Sequence, residues 1–167
     1  ARQVFDSRGN PTVEAEVYTN NLSASAICPS GASTGTYEAF EKRDQNNKKY
    51  LGKSVLKAVE LVNSKISKKL KGQNVHNQER IDALLINLDG TRQKTNLGAN
   101  AMLAVSMAVK KLSAKVKKLP LYKTFFLKKN FQLPYPLMNI INGGAHANNG
   151  LRIQEFMIRP DRAKSFS

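Results

Sequence analysis

The period of the hydrophobic pattern changes twice along this 167-residue chain, and those changes constrain its fold more than any single motif. "RQVFDS" reads as a short strand. "TVEAEVYTN" then alternates, with Val13, Ala15 and Val17 against Thr12, Glu14, Glu16 and Tyr18. After the Asn20-Asn21 turn signal, "LSASAIC" alternates again, so residues 3–28 are expected to form a three-stranded antiparallel meander. "TYEAFEKRD" is expected to open a helix, with Thr36 as cap and Glu38 in the first turn. From Ser54 the spacing becomes three and four: Val55, Val59, Val62, Ile66 and Leu70, with Gly72 as the stop. A second helix carries Ile81, Leu84, Leu85 and Leu88 and ends near Asp89-Gly90. A third, over about 98–117, is apolar nearly all round and belongs at the centre. A fourth is expected from Pro120 through "LYKTFFLKK". Around Gln132 the period returns to two. "LPYPLMNIINGG" reads as a strand, "AHANNG" as a small-residue loop and "LRIQEFMI" as a second strand, with Ile153, Glu155 and Met157 on one face and Gln154, Phe156 and Ile158 on the other. No internal repeat or low-complexity tract interrupts this order.

Composition removes several classes of function. No apolar run approaches the roughly 20 residues of a membrane-spanning helix, and the opening "ARQVFDSRGN" has no apolar core of a signal peptide. The single cysteine, Cys28, leaves no internal disulfide and no cysteine pair for a metal, which fits a reducing, cytoplasmic setting. The net charge of +15 raises a polyanion partner as an alternative. The lysines are dispersed over polar faces and last turns of the expected helices, however, and no nucleic-acid recognition motif accompanies them. A solvated basic surface is the expectation, with no specific nucleic acid. The chain begins without methionine inside an expected strand and stops at Ser167 with no closing element, so a piece of a longer protein is expected.

Three local features carry chemistry. The loop Ser30-Gly31-Ala32-Ser33-Thr34-Gly35 combines two glycines with three hydroxyls. It lacks the Lys-Ser/Thr that would follow the last glycine of a phosphate-binding Walker loop. On its residues alone it is a turn with capping hydroxyls, or a loop that holds a ligand. Glu155 is an acid within an apolar strand; buried acids are paired or liganded, whereas an edge strand would let it meet water. His146 lies in the second small-residue loop, where a lone histidine is more often structural than catalytic. His76 precedes a helix and receives no role.

"DSRGNPTVE" (6–14), "PSGASTGTYEA" (29–39), "LDGTRQKTNLGANAMLAVSMA" (88–108), "PLYK" (120–123), "NIINGGAHANN" (139–149) and "IQEFMI" (153–158) stand in the order and spacing of the enolase family, over essentially the whole chain. The resemblance implies an α+β N-terminal domain over 1–131, a three-stranded antiparallel meander plus helices. The first hairpin of a TIM-like α/β barrel would follow over 132–167. It implies the Mg²⁺-dependent dehydration of 2-phosphoglycerate to phosphoenolpyruvate, a hydro-lyase step of glycolysis run in reverse in gluconeogenesis. In such enzymes the 30–35 loop (Ser30, Gly31, Ala32, Ser33, Thr34, Gly35) is mobile, and Ser33 ligates the second of two Mg²⁺ ions. His146 contacts the substrate phosphate, Glu155 binds substrate beside the general acid and Gln154 helps to position it. Arg2, Arg8 and Glu14 fall in the segment that faces a partner subunit, which implies a homodimer or larger homo-oligomer. The family's catalytic lysine, general-acid glutamate and three first-metal carboxylates would lie beyond this chain. Asn148 and Arg152 depart from the aspartate and the polar or acidic residue common in bacterial members, and make the loop more basic. A non-catalytic enolase-like protein that binds through its basic surface is the alternative.

Overall fold

A computed structural model describes residues 1–31, 34–46, 48–125 and 131–165. The chain divides into two compact units, Ala1–Ser30 with Gly35–Leu127, and Gly31–Thr34 with Lys128–Ser167.

The first unit opens with the meander: β1 (Arg2–Phe5), β2 (Pro11–Tyr18) and β3 (Ser23–Cys28), in the order β1-β2-β3 with both pairings antiparallel. The alternation read in the sequence becomes two faces. Val13 and Ala15 are fully buried, while Glu14 and Glu16 point away from the core. Arg2 lies opposite Glu14 in the register and its Nε donates to the carboxylate at 2.5 Å. Thr12 is buried as well, its hydroxyl donating to the Cys28 carbonyl across the sheet at 2.6 Å.

The three- and four-residue spacing from Val55 to Leu70 becomes α1 (Leu56–Leu61), a π-helical turn (Val62–Ile66) and α2 (Ser67–Leu70). Two serines bend their hydroxyls back here, Ser64 to the Glu60 carbonyl and Ser67 to the Asn63 carbonyl. This pattern competes with regular helix bonding. α3 (Gln78–Asp89) starts where the Asn77 side chain accepts from the Arg80 amide and ends at left-handed Gly90, as its sequence stop requires. α4 (Ala99–Val116) packs across β2 and β3 and buries ten of its residues, among them Ala101, Ala104, Val105, Ala108 and Leu112. Its central place agrees with its composition, but Leu103 and Met107, one turn apart, remain exposed. Val13, Val55, Ile66, Leu85, Leu97 and Val105 join the sheet, α1–α3 and α4 into one core. Truncating a side chain such as Leu85 to alanine there costs about 2–5 kcal/mol.

The helix expected from Thr36 does not form; residues 36–38 make a turn and bend and 39–46 are irregular. Their backbone groups are taken by distant partners. Phe40 donates to the Gln93 carbonyl at 2.7 Å and accepts from Ala99 at 2.8 Å. The buried Asn100 side chain accepts from the Lys42 amide at 3.1 Å and donates to its carbonyl at 3.0 Å. Gly98 sits at this seam with φ +93°, where a Cβ would fall 2.5 Å from that of Lys42. The segment then caps α1: the Asp44 carboxylate accepts from the Leu56 and Lys57 amides at 3.0 and 2.9 Å. Of the helix expected after Pro120, the described residues show a 3₁₀ turn, Leu121–Thr124; residues 126–130 lie outside the described residues.

In the second unit, β4 (Met138–Asn142) and β5 (Glu155–Ile158) form an antiparallel hairpin, with a register irregularity between Asn139 and Ile141. Both strands are shorter than the period suggested. Pro134 and Pro136 cannot donate to a ladder. On the other side, 151–154 leaves β pairing to close the loop, with the Gly143 amide on the Gln154 carbonyl and the Gly144 amide on the Leu151 carbonyl. The described residues contain no closed barrel.

Candidate active-site residues

The stem of the 30–35 loop is held in the first unit. Ser30 follows β3 by one residue beyond Pro29. Its carbonyl accepts from Arg8 Nη2 at 2.5 Å. Its hydroxyl donates to Glu41 Oε1 at 2.5 Å and accepts from Arg43 Nη2 at 2.6 Å. Arg43 also reaches Glu41 Oε1 at 2.8 Å, the Pro11 carbonyl at 3.1 Å and the Lys53 carbonyl. At the far end the Gly35 amide donates to the Glu38 carboxylate at 2.9 Å, and the Glu38 amide returns a bond to the Gly35 carbonyl. Gly31 and Thr34 are exposed; Ala32 and Ser33 lie outside the described residues. The contacts of Arg8, Glu38, Glu41 and Arg43 with the stem were not read from the sequence. They join positions up to 22 residues apart in irregular chain, where no periodicity marks a partner.

The hairpin unit brings together three residues singled out in the sequence. β4 ends in the tight turn Gly143-Gly144, and a 3₁₀ turn, Gly144–His146, carries the histidine back towards the start of β5. Only glycine fits at 143. A Cβ there would lie 2.3 Å from the Ile153 carbonyl oxygen and 2.7 Å from the Leu151 Cβ. His146 Nδ1 thereby comes to 2.8 Å from Glu155 Oε1, and its Nε2 to 3.0 Å from the Gln154 amide nitrogen. Gln154 and Glu155 are adjacent in sequence, yet both reach the same ring because the chain enters the strand only at Glu155. Glu155 is half-buried, its side chain 28% exposed, so it is neither sealed in a core nor free in water.

This arrangement fixes what the imidazole can do. A proton on Nδ1 faces the carboxylate. The Gln154 amide donates to Nε2 of a neutral ring, or turns its oxygen to an Nε2–H. Both ring nitrogens are thus engaged and the ring is held in one orientation, so Nε2 can meet an anion only where the Gln154 amide gives way. An open concavity of about 600 Å³ lies beside it, lined by Gly144 to Ala147 with Asn148, Gly150, Leu151 and Arg152. Its two basic groups are His146 and Arg152, and no carboxylate lines it.

The magnesium ligand expected at Ser33 lies outside the described residues. No group of three or more His, Cys, Asp or Glu converges among them, and the Glu155 carboxylate is engaged with His146. Arg2 and Glu14 pair with each other and Arg8 binds the loop stem, so all three have partners within the first unit. Several lysines are also committed inside it. Lys110, Lys111 and Lys115 of α4 donate to the carbonyls of Thr124, Ser25 and Ser23. No helix among the described residues is long and apolar enough to cross a membrane.

The family model of the enolase N-terminal domain matches residues 1–125, and that of the enolase C-terminal TIM barrel domain matches residues 130–167. The chain is 83% identical over 167 residues to the enolase of Pelagibacter ubique (strain HTCC1062), covering 100% of this chain and 40% of that protein. It is 55% identical over 166 residues to the enolase of Methanosarcina mazei and 57% over 168 to that of Methanococcus vannielii, covering 39% of each and 99% and 100% of this chain. The chain thus spans about two-fifths of the length of these relatives. With both domain models matched in order and the meander, helices and hairpin in place, the chain belongs to the enolase family.

Proposed function

We propose that this chain is the N-terminal part of an enzyme that removes water from 2-phosphoglycerate to give phosphoenolpyruvate, acting in the cytoplasm as a homodimer or larger homo-oligomer. The observation that carries the reading is the convergence of His146, Gln154 and Glu155 at the mouth of the hairpin loop. The substrate is a phosphate and carboxylate dianion or higher, and a histidine oriented by a carboxylate on one nitrogen suits such an anion on the other. In this reading His146 Nε2 donates to the substrate phosphate, Glu155 keeps the ring oriented and balances its charge, and Gln154 yields its place on Nε2 or turns its amide.

Loss of the C2 proton puts negative charge onto a carboxylate that is already ionised. The enolase superfamily is a standing example of how that is managed, with a Lys or His base and one or two Mg²⁺ ions stabilising the ene-diolate. Of the expected metal ligands only Ser33 is in this chain, and the described residues supply no complete shell, so no step is routed through the metal here. The chain's own contribution is to bind phosphate through His146 and to position substrate through Glu155 and Gln154.

The test is the appearance of phosphoenolpyruvate absorbance with the complete gene product and 2-phosphoglycerate, with and without Mg²⁺. Mg²⁺-dependent turnover is expected, and none from the 167-residue chain alone. A complete product without turnover overturns the reading and leaves a binding role.

A further inference from the structure

Arg43 makes four side-chain hydrogen bonds at and around the loop stem, although no motif in the sequence marks it. Its side chain is 18% exposed. One nitrogen, Nη1, donates to the carbonyls of Pro11, where β2 starts, and of Lys53, just before α1. The other, Nη2, donates to the Ser30 hydroxyl at 2.6 Å and to Glu41 Oε1 at 2.8 Å. Ser30 in turn gives its own proton to the same Glu41 oxygen, so serine, glutamate and arginine close a triangle. All three belong to the first unit, and the chain leaves that unit at the next residue. The Pro11 and Lys53 bonds tie the start of β2 to the start of α1, whereas the Ser30 and Glu41 bonds act where the chain leaves the unit.

We propose that Arg43, with Glu41, is a positioning residue for the reaction. It touches no substrate but fixes the direction in which Ser30 releases the loop that carries Ser33. This rests on the proposed dehydratase reading. An arginine is needed rather than a lysine because only its planar fork reaches two carbonyls on one side while holding a hydroxyl and a carboxylate on the other. Placement errors near 1 Å cost catalysis far more than they cost stability, which is why a rigid exit point matters.

The experiment uses the complete gene product with Arg43→Lys, Ser30→Ala and the double variant. It measures kcat and KM, the melting temperature, and amide exchange of the peptide that contains Ser30. Arg43→Lys is expected to lower kcat roughly tenfold or more with a smaller change in KM, as loss of charge-assisted bonds would. Exchange at the Ser30 peptide should quicken while that of α3 and α4 stays as in the wild type. The double variant should be little worse than the more damaging single change, because both break one triangle. Wild-type exchange at the Ser30 peptide in both single variants overturns the proposal, as does a loss of kcat that merely follows a loss of melting temperature. Faster exchange with unchanged kcat in an active enzyme also overturns it. A wild-type product with no turnover at all counts instead against the dehydratase reading, and exchange at Ser30 then still reports whether Arg43 fixes the stem. Should Arg43→Lys fail to fold, Ser30→Ala carries the same comparison.

Discussion

His146 Nδ1 lies 2.8 Å from Glu155 Oε1, nine residues away along the chain and across the mouth of the β4–β5 hairpin. The pair exists because Gly143 lets the backbone turn against the Ile153 carbonyl, which returns the loop to the strand start. On the proposed reading the other ring nitrogen serves the substrate phosphate. His146→Ala in the complete protein should then lower kcat/KM roughly tenfold to hundredfold, the worth of a charge-assisted hydrogen bond. Circular dichroism should stay as in the wild type, since the side chain belongs to a loop. Wild-type kcat/KM, or activity lost only through unfolding, would make the histidine structural.

Ser33→Ala should separate catalysis from stability. A substitution that removes no core packing, cap or buried bond typically moves stability by less than ~0.5 kcal/mol. If Ser33 supplies oxygen ligands to a metal, turnover should fall and the Mg²⁺ concentration for half-activity should rise, with the melting temperature almost unmoved. A Mg²⁺ titration curve identical to the wild type would show that the loop is only a turn.

Asn100 offers a test of the fold. Its buried amide satisfies both backbone groups of Lys42, and Asn100→Ala leaves them without those partners. The cost should be about 1–3 kcal/mol. It is read as a lower urea midpoint at unchanged slope, together with faster amide exchange over residues 40–44.

Asp89 should impose an acid limb on stability. It is buried at the end of α3. Burial alone would disfavour its charge, but bonds from the Thr91 hydroxyl and from the Leu97 and Thr91 amides outweigh that and hold its pKa below the ordinary value of about 3.8. A carboxylate whose folded value is depressed contributes stability that is fully present above its unfolded value and is lost as pH falls through the folded one. The urea midpoint of the wild type should therefore exceed that of Asp89→Ala most at neutral pH. The gap should shrink below about pH 3.8. A gap independent of pH would mean that packing, not charge, is what the substitution removes.

The basic surface should bind nucleic acid weakly. Each phosphate contact makes affinity fall by roughly one power of salt concentration. Binding to duplex RNA or DNA should disappear near physiological salt when followed by fluorescence anisotropy, and submicromolar binding there would revive the polyanion reading.

Where neighbours along the chain decide the outcome, the sequence was sufficient. The meander follows from alternation at Val13, Ala15 and Val17, and α3 from its Asn77 start and Gly90 stop. α4 follows from a run of apolar residues that can be satisfied only at the centre of the molecule. The family followed from six motifs in order. Tertiary structure decided the rest, because the deciding partners are far apart in sequence. Residues 36–44 have helical composition, but Gln93, Ala99 and Asn100 offer their backbone groups bonds that a helix would forfeit, and irregular chain wins. Arg43 looked like one of 27 lysines and arginines until folding placed Pro11, Ser30 and Lys53 around its guanidinium. Glu155 could have been a wet edge residue or a paired acid by its strand pattern. Only the turn at Gly143 brought His146 within hydrogen-bonding reach, since a turn's direction is set by close backbone approach and not by hydrophobic period.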